Sequence, residues 1–508
     1  MKLLKMLGRF IFSRITLTIA LLLVQIIIIF LLFSVGKHIV WIYGSFTLVS
    51  IIIVLFIVNS KRNPSYKIAW IIPLLLFPGF GVLLYTLYKL QFSIRLMRKK
   101  LIEESNFSSK YLVQDKKILN EINDKSLYNL ATYTNKVSNY KIYGIKNINY
   151  FNSGLSLYKN LLEELKNAKK YIFLEFFIID KGYMLNTLID ILKKKISEGV
   201  EVRIMYDGMG SLFTMHKDFY DELTSYGIKC KIFSPLKPIF SFHYNYRDHR
   251  KLCIIDGDIV YTGGFNIADE YINKKTRFGY WKDGGVKITG DVVNTYIVMF
   301  LELWNIDTKD HEYEKYVSIN KSTNANNGYV IGYGSNPLDD NQLGKRIYLD
   351  IINNAKEYVY IMTPYLILDD EMLSSLTYAS LRGVDVKIFM PSIPDKKYVY
   401  YLGRSFYEEL IEAGIEIYEY IPGFNHSKMF ISDDIKAVVG TINLDYRSLY
   451  LHFECGCFIY NNKVIKDIKK DFTATMKYSN KIVREDIKKY NIVKRIIGRL
   501  LRFLAPLM

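Results

Sequence analysis

Two segments of this 508-residue chain carry the same chemistry-bearing frame. His249, Lys251 and Asp256 stand in the order H-x-K-x-x-x-x-D, followed by Gly263 and Asn266. His426, Lys428, Asp433, Gly440 and Asn443 repeat the frame at identical offsets. The chain has only seven His. Residue frequencies produce one such five-residue pattern on the order of 10⁻⁴ times per chain, so two in register are not coincidence. On a strand, residues two apart point the same way, so each His shares a face with its Lys. The Asp seven residues after the first His falls at the following turn, where Asp256-Gly257 is a hairpin signal. The glycines permit close backbone approach, and Asn266 and Asn443 place an amide beside the same pocket. Brought together, two such strands would surround one small anion with two imidazoles, two ammonium groups and two amides. That is a setting for a phosphate group in transfer. The sequence has no P-loop, no H-E-x-x-H and no carboxylate cluster for magnesium, so the expectation is catalysis without a metal or other cofactor.

The elements that must position these residues begin near residue 135, where strands alternate with helices. Residues 171–179 (YIFLEFFII) read as a buried strand, 185–195 as a helix and 200–206 as a strand. The order returns with a strand at 358–367, a helix at 372–382 and a strand at 384–390. Strand, helix and strand at these spacings predict βαβ units and mixed, mainly parallel sheets flanked by helices. The duplication predicts two similar α/β halves, 101–310 and 311–490, divided near 305–330, where Lys, Asn and Ser cluster.

The first hundred residues have a different character. Residues 15–36 and 39–58 are charge-free stretches of 22 and 20 residues, each long enough to cross a hydrocarbon core of about 30 Å as a helix. A cleavable signal peptide would have a much shorter apolar region. The third apolar stretch, 68–88, contains Pro73, Pro78, Gly79 and Gly81, which break a helix near its middle. Basic residues precede the first stretch and flank the third on both sides, whereas only Lys37 separates the first two. The positive-inside rule then favours two crossings plus a re-entrant or interfacial segment, with everything after residue 100 cytoplasmic. The C-terminal residues 491–508 form a basic amphipathic tail, suited either to an anionic membrane interface or to packing on the body.

Composition sets the outer limits. Half the residues are apolar, which excludes global disorder. Four Cys with no C-x-x-C exclude a disulfide scaffold, a zinc ribbon and a redox motif, and Cys455 and Cys457 read as buried thiols on alternate strand positions. The net charge of +18 fits anionic lipid or a nucleic-acid backbone, but much of the excess lies in the membrane-like first hundred residues.

The doubled H-x-K-x4-D-x6-G-x2-N resembles the signature of the phospholipase D superfamily. Asn245-Tyr246-Arg247-Asp248-His249-Arg250-Lys251, Gly263-Gly264-Phe265-Asn266-Ile267, Thr363-Pro364-Tyr365 and Gly440-Thr441-Ile442-Asn443-Leu444-Asp445-Tyr446-Arg447-Ser448 narrow the resemblance. Together with the apolar N-terminus and Asn63-Pro64, they are similar to bacterial cardiolipin synthases over nearly the whole chain. Asp248 departs from that family, which usually has Asn there, but it only flanks the motif. The resemblance implies that both halves form one active site. One His attacks phosphorus to give a phosphohistidine, and the other protonates the leaving alcohol and then deprotonates the incoming one. By analogy His249 is the nucleophile, although a symmetric pair cannot be told apart by its residues. Imidazole suits both tasks near neutral pH. Lys251 and Lys428, with Asn266 and Asn443, would stabilise the non-bridging oxygens, while Asp256 and Asp433 orient and polarise the array. Asp283 and Glu454 are candidates to hold the imidazole tautomers, or else ordinary polar residues at strand ends. The implied partners are phosphatidylglycerol and anionic membrane lipids, with no nucleic acid. Hydrolytic phospholipase D and phosphatidylserine synthesis share these motifs, and a membrane-tethered nuclease is the reading from another class.

Overall fold

A computed structural model describes residues 23, 25–27, 38–61, 63–90, 92–212, 214–215, 218–235, 245–308, 311–318 and 327–507. The chain divides into two compact units, Met1–Phe92 with Phe503–Met508, and Ser93–Arg502.

In the first unit, α1 (His38–Val58) follows from an almost unbroken apolar run. Its Val40–Val58 portion is, among the described residues, the one stretch long and apolar enough to cross a membrane. The expected first span, residues 15–36, lies outside the described residues except for residues 23 and 25–27. The third apolar stretch is two short helices, α2 (Pro64–Leu76) and α3 (Pro78–Lys89). Each begins with Pro at its first turn, where a missing N–H costs nothing, and Asn63 caps α2 by accepting from the Ser65 N–H at 2.9 Å. The break falls at Phe77, while Pro73 is accommodated inside α2. At 13 and 12 residues, each is about 20 Å long or less, short of a bilayer core. Gly81 lets α3 close onto α2, because a Cβ there would lie 2.7 Å from Leu74 Cα.

The second unit contains both motif-bearing halves. In the first, β1 (Asn147–Phe151) and α4 (Gly154–Asn167) precede β2 (Tyr171–Phe176), α5 (Tyr183–Ser197), β3 (Glu201–Asp207) and β4 (Lys229–Phe233). Then come the motif hairpin, β5 (Lys251–Ile255) and β6 (Ile259–Gly263), and β7 (Gly285–Thr289). The sheet order is β1-β7-β6-β5-β2-β3-β4. Leu157, Leu161 and Leu165 of α4, and Leu185, Leu188 and Leu192 of α5, recur every three or four residues and bury one face of each helix. Burying each such side chain contributes about 1.5–3 kcal/mol.

After α6 (Val293–Asn305), the second half runs through β8 (Tyr329–Ser335), α7 (Leu343–Asn354), β9 (Tyr358–Met362), α8 (Asp370–Leu381), β10 (Asp385–Pro391), α9 (Lys397–Arg404) and β11 (Glu416–Tyr420). The second motif hairpin is β12 (Met429–Ser432) and β13 (Lys436–Gly440), followed by β14 (His452–Tyr460), α10 (Val464–Lys477) and β15 (Ser479–Ile482). Its core order, β14-β13-β12-β9-β10-β11, repeats β7-β6-β5-β2-β3-β4 strand for strand. The chain is thus a mixed α/β protein with two similar halves.

The parallel share is smaller than the βαβ pattern predicted. Among the described residues, parallel pairing in the main sheets is limited to β2-β3-β4, β9-β10-β11 and a two-residue ladder of Arg247–Asp248 on β14. The motif strands pair antiparallel, β5 with both β2 and β6, and β12 with both β9 and β13. The tight turns at 256–258 and 433–435 leave no room for the crossover a parallel partner requires.

Candidate active site

Two short parallel ladders between the halves place the reactive side chains. Arg247 and Asp248 pair with His452 and Phe453, so the next residues in register are His249 and Glu454. The ladder continues as the His249 N–H donates to Phe453 O at 2.9 Å. Equivalently, Tyr280–Lys282 pairs with Gly423–Asn425, which brings Asp283 opposite His426, and the His426 N–H donates to Lys282 O at 2.7 Å. Each imidazole therefore meets an acid from the other half. His249 Nδ1 is 2.9 Å from both Glu454 oxygens, and His426 Nδ1 is 2.7 Å from Asp283 Oδ2. A buried salt bridge from Lys282 to Asp471, 2.8 Å to each oxygen, fixes the strand that delivers Asp283.

Gly263 and Gly440 enable this closure. Gly263 pairs with Gly285 and Gly440 with Gly456, each partner lying two residues after its acid. A Cβ at Gly263 would sit 2.4 Å from Gly284 O, and one at Gly440 would sit 2.6 Å from Cys455 O.

The side chains of His249 and His426 are 10% and 9% exposed. Burial, reinforced by the charges of Lys251 and Lys428, holds both well below the usual imidazole range. Burial also pushes Lys251 down to about 8, Lys428 down to about 7, and the Asp283 carboxyl up to about 7. With Nδ1 turned to a carboxylate, a neutral imidazole presents Nε2 to the pocket. Each Lys Nζ donates to the carbonyl of its own motif His, at 2.5 Å for Lys251 to His249 O. This fixes the ammonium beside the ring it follows by two residues.

Asp256 and Asp433 do not join this array. They occupy the turns at the far ends of β5 and β12, at φ of 54° in both cases. Asp256 accepts from the backbone N–H groups of Lys169, Lys170 and Tyr171 at 2.8, 2.6 and 3.0 Å. Asp433 does the same for Lys356, Glu357 and Tyr358 at 2.8, 2.9 and 2.9 Å. They tie each motif hairpin to the start of its neighbouring strand, one strand length away from the imidazoles. Asn266 and Asn443 are buried near the site but partly committed: Asn266 accepts from the Ile178 N–H at 3.0 Å and donates to the Tyr271 hydroxyl at 2.6 Å, and Asn443 donates to Ser448 Oγ at 3.1 Å.

Several residues escaped sequence reasoning. His452 packs 5.4 Å from the His249 ring, is held down to about 3 by burial, and lies 3.6 Å from Glu454. Its signal was the alternation His452-x-Glu454 on one strand. Thr441 donates its hydroxyl to Glu454. Lys396 adds positive charge felt by both imidazoles, with no sequence signal to mark it. Aromatic rings line the pocket, Phe177 against His249, and Tyr271 and Trp281 against His426. Among the described residues, His249, His452 and Glu454 are the group whose ligand atoms, within 4.8 Å of one another, could hold a metal. A dication there would face the Lys251 ammonium and compete for the His249 Nδ1 already paired with Glu454.

Comparison with known proteins gives this geometry a context. Residues 161–290 and 348–476 match the family described as "Cardiolipin synthase, PLD-like domain", and residues 46–87 match "Phospholipase_D-nuclease N-terminal". A cardiolipin synthase of Alkalihalophilus pseudofirmus is 34% identical over 480 residues, covering 92% of this chain and 95% of that protein. One from Clostridium perfringens is 35% identical over 470 residues, covering 88% and 95%. An uncharacterized protein of Streptococcus mutans is 45% identical over 458 residues, covering 90% and 99%. The fold is shared with a phosphatidylserine synthase structure from Haemophilus influenzae, at a TM-score of 0.58 and 16% identity, covering 76% of this chain and 98% of that one. Full-length similarity to named synthases and the family match on both halves agree with the doubled imidazole site, and the chain is an enzyme of the cardiolipin synthase family, a phospholipid synthase on the phospholipase D-like fold.

Proposed function

We propose that the enzyme makes cardiolipin and glycerol from two phosphatidylglycerol molecules through a phosphatidyl-histidine, without a metal. The observation that supports this reading is the crossed pair of buried imidazole–carboxylate contacts, with both motif ammonium groups close enough to shift the imidazoles.

His249 Nε2 attacks the phosphorus of the first phosphatidylglycerol. As the P–N bond forms, the P–O bond to the head-group glycerol breaks, and His426 supplies the proton that releases glycerol. His426 then takes a proton from the glycerol hydroxyl of a second phosphatidylglycerol. That oxygen attacks phosphorus, displaces His249 and completes cardiolipin. Asp283 supports this division of labour. Its carboxyl is pushed up to about 7, so the Asp283–His426 pair retains a proton near neutrality, as an acid must. Lys251 and Lys428 stabilise the non-bridging oxygens as charge develops. Closure of the pocket to bulk water favours an alcohol as acceptor. Two membrane crossings, residues 15–36 and α1, with the catalytic halves on the cytoplasmic side, would bring the enzyme to lipid substrates.

The test is the full-length protein in phosphatidylglycerol vesicles with a chelator, with cardiolipin, phosphatidic acid and glycerol quantified together. Equal amounts of cardiolipin and glycerol are expected. Phosphatidic acid in place of cardiolipin would make water the acceptor and the enzyme a hydrolase. His249→Ala and His426→Ala are each expected to abolish product while the protein stays folded; near-normal turnover in either would overturn the mechanism.

A further inference from the structure

Beyond the catalytic residues, a cavity of about 460 Å³ opens between α9 and the C-terminal helix α11 (Ile492–Leu504). Its volume falls in the range of small-ligand sites, about 300–1,000 Å³. Six cationic side chains line it, Lys397, Arg404, Lys489, Lys494, Arg495 and Arg499, against a single acid, Glu408. Arg495 and Arg499 share that one carboxylate, at 3.5 and 2.8 Å. Arg404 is held by Glu419. Lys489 is paired with Asp486 at 3.2 Å, whereas Lys397 and Lys494 have no carboxylate within salt-bridge reach among the described residues, so the cavity keeps a surplus of positive charge. The lining residue Tyr490 has a buried hydroxyl with no hydrogen-bond partner among the described residues, and its ring lies under the Arg404 guanidinium at 4.1 Å.

The way α11 is mounted says what kind of molecule arrives. Its basic side faces the protein: Arg495 and Arg499 reach Glu408, and Arg502 donates to Ser405 Oγ at 2.9 Å. Gly498 allows the close approach, since a Cβ would lie 2.3 Å from Tyr401 O. The opposite face, Ile492, Val493, Ile496, Ile497 and Leu500, follows helical spacing and is exposed, Ile492 at 61% and Leu500 at 66%. A helix turned apolar side outward, with a cation-lined cavity beneath it, matches a bilayer interface: acyl region outside, phosphate level inside.

We propose that this cavity is a second, non-catalytic site that holds the phosphodiester head group of an anionic phospholipid, while the outer face of α11 lies in the membrane interface. The site does not depend on the transferase reading, and it stands one helix away from the catalytic pocket, which α9 flanks through Lys396.

The test places a photo-crosslinking residue at Tyr401 (Tyr401→benzoylphenylalanine) in the full-length protein. The protein is reconstituted in phosphatidylcholine vesicles containing a minor fraction of alkyne-tagged phosphatidylglycerol. The expected result is a lipid adduct that persists in the His249→Ala/His426→Ala background and resists excess inorganic phosphate. The adduct should fall on the order of tenfold or more in Lys397→Ala/Lys489→Ala/Lys494→Ala. Retained cardiolipin output would show that the triple variant is folded. No adduct, or an adduct of equal yield after charge removal, would overturn the proposal. Displacement by inorganic phosphate would make this a small-anion site and overturn the lipid assignment.

Discussion

His249 Nδ1 lies 2.9 Å from both carboxylate oxygens of Glu454, a residue 205 positions away in the chain and in the other half of the protein. The same relationship joins His426 to Asp283 across 143 positions. Neither half holds a complete imidazole–acid pair, so both must be folded and docked before either His is oriented.

Replacing Glu454 by Gln or Asp283 by Asn keeps shape but presents an amide N–H to Nδ1, which favours the wrong tautomer. Each change is expected to lower kcat on the order of 10²–10⁴-fold with little change in thermal stability, as for other oriented imidazoles. Because the two acids serve different rings, trapped phosphatidyl-enzyme should be lost in Glu454→Gln and should still form, slowly, in Asp283→Asn. Equal trapping in both would show that His249 is not the sole nucleophile.

Asp256→Ala and Asp433→Ala are expected to behave oppositely. Each carboxylate accepts three backbone N–H bonds at a strand junction. Their loss should cost on the order of 1–3 kcal/mol of stability. Turnover per folded molecule should stay within about twofold, because the carboxylates are a strand length, roughly 15 Å, from the rings. A large kcat loss at an unchanged melting temperature would return them to the catalytic array.

Burial depresses Lys428 to about 7 and Lys251 to about 8, so both ammonium charges disappear as pH rises through this range in the free enzyme. The kcat/KM profile should fall on an alkaline limb between these values. A bound phosphodiester supplies the opposite charge and raises both pKa values, so the limb on kcat should lie about one unit higher or more. Coincident limbs would assign the titration to another group.

Asp248 is fully buried beside Glu175, and burial pushes its carboxyl up to about 6. A folded-state value above the unfolded one means that the native state favours the protonated acid, so ionisation penalises folding above that pH and the penalty fades below it. Asp248→Asn should therefore raise the melting temperature at pH 8 and change it little at pH 4, as followed by thermal unfolding in detergent. A lower melting temperature at pH 8 would show that the charge is needed by Arg250.

The sequence by itself determined the class of chemistry, the duplicated α/β halves and the apolar N-terminal helix. These are written in local patterns: spacing on a strand, helical periodicity, and a run without charge. It also supplied both acids that meet the imidazoles at Nδ1, since Asp283 and Glu454 stood out as acids downstream of each motif. Only the tertiary structure decided that each acid serves the other half's His, because that pairing depends on two ladders between segments far apart in the chain. It likewise removed Asp256 and Asp433 from the site. Their place in the motif is regular, but a seven-residue offset on an extended strand carries a side chain to the opposite end of the sheet. His452, Thr441 and Lys396 entered the site only through packing, and the outward apolar face of the C-terminal helix followed from which side Arg495, Arg499 and Arg502 found carboxylates and carbonyls.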